Sequence, residues 1–262
     1  MRDGRACAAL PKPSSLASVN SELERNVDVW CVDLSAPDGL LASAHATLST
    51  DERERVRRFR SDHDRKMFVL AHAVLRTLLG RYLGRPPETF SFSFGVHGKP
   101  KLVDSSLEFN LSHSGEFAAY AFTRGCDLGI DIERVRIFPE FVTIAKRFFS
   151  RAEFTDLLAV DPDQIERVFF RCWTRKEAYT KAVGAGIRVP LDSFQVSVLP
   201  RAPAALRRVR GNVTEAVSWA LHDFEPASDY VGALALRDRK RRMRASTTTV
   251  EQILSEGPKK FD

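Results

Sequence analysis

Hydrophobic and polar residues alternate along several short segments of the chain, and this period of two predicts β-strands. The first such segment is Val27–Leu34, and the second is Phe90–Phe94, whose alternation gives one aromatic face. The later segments with strand character are Leu107–Leu111, Phe117–Phe122, Gly129–Ile132, Phe194–Leu199, Val217–Phe224 and Tyr230–Leu236.

Longer segments carry apolar residues at the spacing of a helix. The first runs from Asp51 to about Tyr82 in two pieces separated near Ser61. Ser49 stands three residues before Glu52, which is typical of a helix N-terminus. Three further helices are predicted over 139–148, 150–160 and 163–183, and Gly184 with Gly186 ends the last of them.

The order strand, helices, three strands occurs twice along the chain. We therefore predict an α/β (or α+β) protein, a pseudo-dimer of two similar halves that meet near residue 125. The N-terminal half is expected over 27–124, and the C-terminal half, with the metal site, over 125–236. Residues 1–26 are expected to be a flexible leader, and 237–262 an exposed, flexible basic tail.

Composition indicates a globular protein, because 44% of the 262 residues are hydrophobic and 28% are charged. The longest clean apolar run, 117–122, is far shorter than the ~20 residues of a membrane-spanning helix. Four scattered cysteines form no CxxC motif and no dense disulfide framework. With no visible secretory signal, a cytoplasmic protein that binds no membrane is expected.

The formal net charge of +6 is concentrated in one segment, because residues 237–244 (RDRKRRMR) carry a net +5. The remaining chain is nearly neutral, which does not indicate a nucleic-acid-binding surface in the fold. We interpret the basic segment as a solvated charge run, with RNA binding through it as the alternative.

The first chemically unusual segment is the predicted strand LGIDIE, residues 128–133. Side chains alternate along a strand, so Asp131 and Glu133 project on one side while Ile130 and Ile132 project on the other. Two adjacent carboxylates suit a divalent cation such as Mg2+. A solvated polar face of an edge strand is the alternative.

The second segment lies on the predicted helix 163–183. Trp173, Glu177 and Lys181 are spaced at i, i+4 and i+8, which places them on one stripe with Lys176 beside it. Trp173 would anchor the stripe while the two charged groups reach into a cleft. A functionally silent Glu–Lys pair on an exposed helix is the alternative.

The third segment is Ser112-His113-Ser114-Gly115, which follows a predicted strand. A turn of this composition presents hydroxyl, imidazole and backbone N–H groups together, and these suit a phosphate oxygen. A plain hairpin loop and a nucleophilic Ser–His pair are the alternatives.

Together these segments resemble the surfactin-synthetase-activating type of 4′-phosphopantetheinyl transferases. The motifs that carry the resemblance over residues 27–236 are Gly98-Lys99-Pro100, Phe109–Gly115, Gly129–Glu133, Ala145–Ser150 and Trp173-x-x-Lys176-Glu177-Ala178-x-x-Lys181-x-x-Gly184. The resemblance implies a pseudo-dimer that moves the phosphopantetheine arm of coenzyme A to a serine of an apo acyl or peptidyl carrier protein. Adenosine 3′,5′-bisphosphate would be released.

The resemblance also implies roles for individual residues. Asp131, Glu133 and Glu177 would bind Mg2+, with Mn2+ as a possible substitute. Asp131, Glu177 and Lys181 would be catalytic. The residues implied to contact coenzyme A are Arg55, Lys99, Pro100, Ser112, His113, Lys176 and Lys181. Lys181 would hold the pyrophosphate with Lys176 nearby, and Ser112 and His113 would hold the 3′-phosphate. Lys99 and Pro100 would lie against the adenine.

The chain departs from the family at one basic position of the first long helix, which is Glu52 here; Arg53 is a candidate substitute. We further hypothesise that Glu177 accepts the proton of the attacking serine, directly or through a metal-bound water. Arg147 and Arg151 are candidates for steering an acidic carrier protein, with ordinary surface solvation as the alternative. A coenzyme A-binding module without catalysis is the competing function. Pseudo-duplication favours a monomer.

Overall fold

The computed structural model describes residues 16–37, 39–184, 186 and 189–256. The elements of the N-terminal part are α1 (Leu16–Arg25), β1 (Asn26–Asp33), α2 (Gly39–Ala46), α3 (Thr50–Val56), α4 (Asp62–Leu83), β2 (Phe92–Phe94), β3 (Pro100–Leu102), β4 (Leu107–Ser114) and β5 (Phe117–Arg124). Those that follow are β6 (Leu128–Arg134), α5 (Phe141–Phe148), α6 (Arg151–Leu158), α7 (Ile165–Val183), β7 (Phe194–Val196), β8 (Leu206–Val209), α8 (Val213–Ala216), β9 (Ala220–Phe224), β10 (Tyr230–Leu236), β11 (Arg242–Thr249) and α9 (Val250–Ser255).

Two main sheets organise the chain, which confirms the predicted mixed α/β class. The first has the strand order β11-β1-β5-β4, and the second has the order β6-β10-β9. Strands β2 and β3 form a separate hairpin, and β7 pairs with β8. The predicted strand over 90–94 is shorter than expected, because only 92–94 pair with β3.

Helices and sheets pack in four layers. Helix α4 packs on one face of the first sheet, where it contacts Val32, Tyr120 and Phe122. The other face of that sheet, including Val29, packs on the second sheet, including Ile130. Helix α7 covers the far face of the second sheet. The two halves therefore share an apolar core between their sheets.

A buried charge pair supports the start of the helical region in the first half. Ser49 caps α3, and the backbone N–H of Ser49 donates a hydrogen bond to the side chain of Glu52. The Nε atom of Arg76, on α4, donates to Glu52 Oε2 over 2.7 Å. The carboxylate that completes the helix cap thus also neutralises a fully buried guanidinium.

The second half repeats this arrangement. Ser150 caps α6, and Glu153 completes the capping box. The Nζ atom of Lys176, on α7, lies 2.7 Å from Glu153 Oε2. The partners are 24 residues apart in the first half and 23 in the second. The predicted duplication of the halves therefore extends to individual residues, which the sequence pattern did not reveal.

The structure corrects two predictions about the ends of the chain. The expected leader over 1–26 is wrong for 16–25, which form α1 and bury Leu23. The expected flexible tail over 237–262 is wrong for 242–255, because β11 pairs in parallel with β1 from Asn26 to Asp33 and α9 follows it. Residues 1–15 and 257–262 lie outside the described residues.

Arg244 at the end of the basic segment is held by two carboxylates, of which Asp28 is buried and Glu22 is partly buried. Arg244 Nε donates to Asp28 Oδ1 over 2.7 Å, and Arg244 Nη1 donates to Glu22 over 2.6 Å. Asp28 is only 4% exposed and also accepts a hydrogen bond from the Tyr82 hydroxyl. Part of the basic charge therefore serves folding.

We expect Arg244→Met to lower the free energy of unfolding by about 2–4 kcal/mol, because it leaves the buried Asp28 carboxylate without its cation. Urea unfolding followed by circular dichroism measures this. Arg242→Met is the matched control, since Arg242 is exposed on the same strand. Equal stabilities of the two variants would contradict the structural role of Arg244.

Candidate active site

Strand β6 divides its side chains between two environments. Ile130 and Ile132 lie in the apolar core between the sheets. Asp131 and Glu133 project on the opposite side, as the alternation of the sequence predicts. Asp131 is buried, and Glu133 is partly buried. Two carboxylates are thereby kept next to each other and largely away from water.

Helix α7 packs directly on the backbone of β6 at Gly129. A Cβ atom at this position would lie 2.2 Å from the carbonyl oxygen of Ala178 and 2.3 Å from the amide nitrogen of Ala182. Only glycine permits this approach. Because Glu177 and Lys181 belong to the same helix, the approach brings both beside the carboxylates of β6.

A lysine and a serine hold one oxygen of Asp131. Lys181 Nζ lies 2.6 Å from Asp131 Oδ1, and the Ser112 hydroxyl donates to the same oxygen over 2.8 Å. Lys181 also donates to the Ser112 oxygen over 2.9 Å. The other oxygen, Asp131 Oδ2, is buried and has no hydrogen-bond partner among the described residues. Burying an oxygen anion without a partner is costly, so this atom indicates a missing ligand.

The neighbouring carboxylates repel one another. Burial raises the pKa of Glu133, and the charge of Asp131 adds to this, while a hydrogen bond from Ser114 opposes it. Burial also raises the pKa of Glu177, and the charges of Asp131 and Glu133 raise it further against the opposing effect of Lys181. The single positive charge of Lys181 therefore does not offset the negative charge at this position, and a further cation would stabilise the ionised carboxylates.

The carboxylates do not form a preformed metal shell. Among the described residues, no three carboxylate, imidazole or thiol side chains lie close enough together to hold a metal ion. The charges of Asp131, Glu133 and Glu177 nevertheless act on one another, and Lys181 contacts Asp131 directly. The assignment of the three as metal ligands stays a prediction.

Strand β4 continues through the segment that we predicted to be a turn. Ser112, His113 and Ser114 pair with β5, and the reversal of the chain occurs at Gly115, whose φ is +55°. The Ser112 hydroxyl lies in the carboxylate cluster and is bonded on both sides, to Asp131 and to Lys181. The structure therefore places the Ser112 hydroxyl between Asp131 and Lys181, and its predicted contact with the 3′-phosphate stays a prediction.

His113 faces the other side of β4, toward α3 and α4. Partial desolvation lowers the pKa of His113, and the nearby positive charges of His72, Lys181 and Arg55 lower it further, while the charge of Asp64 opposes them. The Arg55 guanidinium lies 5.0 Å from the centre of the Phe68 ring, which stacks on the His72 ring. An anion would relieve this accumulation of positive charge. Sequence reasoning missed His72, because an isolated histidine in a helical pattern carries no signal.

Glu52, which stands where the family has a basic residue, has a structural role. Burial by itself would raise the pKa of Glu52, but the hydrogen bond with His72 and the charges of His72 and Arg76 lower it to about 2. Arg53 does not replace the absent basic residue near His72, because its guanidinium donates to the carbonyl of Ala46.

The two other predicted lysines differ in their surroundings. Lys99 Nζ donates to the carbonyls of Leu128 and Ala182, over 2.8 and 3.3 Å, and ties the β2–β3 hairpin to the second half. Lys176 is fully buried against Glu153 and also donates to the carbonyl of Phe194. The predicted role of Lys176 near the pyrophosphate is therefore wrong: it faces α6 and stabilises the fold.

Comparisons with known proteins match both halves of the chain. A family model described as "4'-phosphopantetheinyl transferase superfamily" matches residues 127–235, and one described as "4'-phosphopantetheinyl transferase, N-terminal" matches residues 37–124. The 4'-phosphopantetheinyl transferase HetI of Nostoc sp. is 37% identical over 231 residues, which are 87% of this chain and 92% of HetI. The chain belongs to the 4'-phosphopantetheinyl transferase superfamily.

Two further relatives of this transferase share shorter regions with it. The 4'-phosphopantetheinyl transferase Sfp of Bacillus subtilis is 38% identical over 150 residues, 57% of this chain and 66% of Sfp. An L-aminoadipate-semialdehyde dehydrogenase-phosphopantetheinyl transferase of Mus musculus is 28% identical over 169 residues, 60% of this chain and 55% of that protein.

The predicted function class is confirmed: the protein is an Sfp- and HetI-type phosphopantetheinyl transferase that modifies carrier proteins. The comparisons favour this enzymatic function over the two alternatives, a binding module without catalysis and an RNA-binding protein. In the part of the transferase that the structure describes, no helix has the length and apolar character that a membrane crossing requires.

We expect Gly129→Ala to reduce phosphopantetheine transfer by about 10-fold or more and to destabilise the transferase by about 1–3 kcal/mol, because α7 must move away from β6. Transfer to an apo carrier protein, read by intact mass, measures the first effect. Gly39→Ala is the control, since a Cβ atom there meets no other atom within 4 Å. A fully active Gly129→Ala variant would show that the close packing does not position the site.

Proposed function

We propose that the transferase binds Mg2+ through Asp131, Glu133 and Glu177 and uses coenzyme A as the donor. The observation that carries this proposal is the buried Oδ2 atom of Asp131, which has no partner among the described residues. The raised pKa values of Glu133 and Glu177 support it, because they reflect negative charge that a cation would stabilise. An all-carboxylate donor set suits hard cations, so Mn2+ can replace Mg2+.

A cation held by Asp131, Glu133 and Glu177 would supply Lewis acid chemistry to the diphosphate of coenzyme A. Lys181 supplies a second positive charge from the protein itself. Its ammonium lies next to Asp131, within reach of oxygens that bind at the same carboxylate. A fixed ammonium of this kind stabilises negative charge that develops on the diphosphate as its P–O bond breaks.

Glu177 is proposed as the general base. It accepts the proton of the carrier-protein serine as the serine oxygen bonds to the β-phosphorus of coenzyme A, and the bridging P–O bond breaks to release adenosine 3′,5′-bisphosphate. Glu177 is chosen as the base because its carboxylate lies beside Asp131 and Glu133, on the same helix as Lys181, where the diphosphate would bind.

The 3′-phosphate of coenzyme A is proposed to bind at Arg55, His72 and His113. These residues form the basic group beside α3 and α4 described above, and an anion there would offset their mutual repulsion. Lys99 and Pro100, on the hairpin next to the end of α7, are proposed to contact the adenine.

A folded apo carrier protein is the proposed acceptor, with Arg147 and Arg151 steering its acidic surface. Both arginines are exposed, at the end of α5 and the start of α6. We also propose that the enzyme works as a monomer in the cytoplasm, where the buried free thiols of Cys126 and Cys172 match a reducing environment.

We expect Glu177→Gln to lower kcat/KM for transfer by about 100-fold or more, because it removes a charged metal ligand and the proton acceptor. The measurement is transfer to an apo carrier protein over a range of Mg2+ concentrations. Glu166→Gln, in the first turn of the same helix, is the control and should transfer normally. Near-normal turnover of Glu177→Gln at raised Mg2+ would exclude Glu177 from both proposed roles.

We expect the double variant Arg147→Glu, Arg151→Glu to raise KM for the carrier protein by about 5-fold at low salt and to leave KM for coenzyme A unchanged, because it reverses the steering charge. The double variant Arg239→Glu, Lys240→Glu changes the net charge equally at other exposed positions. If both double variants raise the carrier-protein KM alike, specific steering by α5 and α6 is refuted.

A further inference from the structure

Alternate residues of β4 reach across the boundary between the two halves. Leu107 and Phe109 face the core beneath the first sheet. Asn110, Ser112 and Ser114 face the other way, toward β6. Strand β4 is backbone-paired with β5, and β6 is backbone-paired with β10, so the two strands belong to different sheets. Side chains connect them where their edges meet.

The first of these connections fixes the backbone of β6. Asn110 is buried, and its Oδ1 atom accepts a hydrogen bond from the Ile130 N–H over 2.9 Å. The bond satisfies a backbone donor at the edge of the second sheet. It also fixes the height of β6 relative to β4, one residue before Asp131.

The last connection fixes a carboxylate. The Ser114 oxygen accepts a hydrogen bond from the Arg134 N–H over 3.1 Å, and the Ser114 hydroxyl donates to Glu133 Oε2 over 2.7 Å. Because the backbone N–H occupies an acceptor site of the hydroxyl, its proton is directed to Glu133. A short bond of this kind to an ionised carboxylate is among the stronger hydrogen bonds of a protein.

Glu133 has a competing partner on the solvent side. Arg136 Nη1 lies 3.6 Å from the same Oε2 atom, and about half of the Arg136 side chain is exposed, at 52%. The Arg136 guanidinium is itself held by the carbonyl of Arg134 and lies over the Phe170 ring. Without the Ser114 hydroxyl, it is the remaining charged partner that the structure shows for Glu133 Oε2. Ser114 therefore holds Glu133 toward β4 in competition with Arg136.

We infer that Ser114 is a positioning residue that keeps Glu133 beside Asp131, so that Asp131, Glu133 and Glu177, which form no preformed metal shell among the described residues, can close on a cation. This inference rests on the proposed role of Glu133 as a metal ligand. The Ser-His-Ser-Gly segment would thereby have a second role beside the proposed phosphate contact of His113, in which its second serine orients a carboxylate of the other half.

The test measures metal affinity directly. Binding of Mn2+ to the full-length protein with coenzyme A present and no carrier protein is followed by electron paramagnetic resonance, so no turnover is involved. We expect Ser114→Ala to raise the Mn2+ dissociation constant by about 10-fold. The Mg2+ concentration for half-maximal transfer should rise by a similar factor, while kcat at saturating Mg2+ stays within about 2-fold, because the metal compensates once bound.

Three further variants separate positioning from structure. Ser114→Thr keeps the hydroxyl and should bind Mn2+ like the wild type. Ser114→Cys keeps the volume but donates weakly, and should fall between Thr and Ala. Should Ser114→Ala not fold, the comparison of Cys with Thr decides the question. Ser106→Ala removes a hydroxyl that bonds Arg124 outside the site, and should leave the Mn2+ affinity unchanged.

Two results would overturn the inference, and they differ in meaning. Wild-type Mn2+ affinity in folded Ser114→Ala and Ser114→Cys would show that Ser114 does not aim Glu133, while Mg2+-dependent transfer by the wild type would still stand. Wild-type Mn2+ affinity in Glu133→Gln would remove Glu133 from the metal shell, and the proposed magnesium site would then fail together with the role of Ser114.

Discussion

Direct contact between α7 and the backbone of β6 at Gly129 determines where the charged groups of the site lie. A strand contributes Asp131 and Glu133, a helix contributes Glu177 and Lys181, and neither element alone gathers them. The missing side chain at residue 129 lets the helix lie on the strand. The resulting excess of negative charge is only partly offset by Lys181, and this imbalance makes the site suited to a cation, without which the carboxylates would repel an anionic diphosphate.

The halves are built on the same internal support. In each, a glutamate completes a helix cap and neutralises a buried cation on the long helix: Glu52 with Arg76, and Glu153 with Lys176. Removing one partner of such a pair is strongly destabilising, so both pairs are needed for the stability of the fold. This explains why the chain has Glu52 where the family has a basic residue: the charge of Glu52 stabilises the fold. The basic residues near Glu52 are Arg55, His72 and His113.

Several site residues follow from local patterns. Alternation along 128–133 separates Asp131 and Glu133 from Ile130 and Ile132. Helical spacing places Lys181 on one face of its helix. The same patterns could not distinguish Ser112 as a phosphate ligand from Ser112 as a partner of Asp131, because that depends on which strand of the other half lies beside it. The sequence carries no signal for His72 for the same reason, because His72 of α4 comes near His113 of β4 only in the folded chain.

The sequence by itself determined the class of the protein, the two halves, the helix boundaries set by Ser49 and Gly184, and the order of the motifs, because caps and periodicity act between residues close in the chain. Only the tertiary structure decided which charges meet. It buried Lys176 on Glu153 and left Lys181 on Asp131, and it turned an apparently loose basic segment into a strand held by Asp28 and Glu22. The physical reason is that an ion pair forms with whichever opposite charge the packing brings within a few ångströms, and packing joins residues that are far apart in the chain.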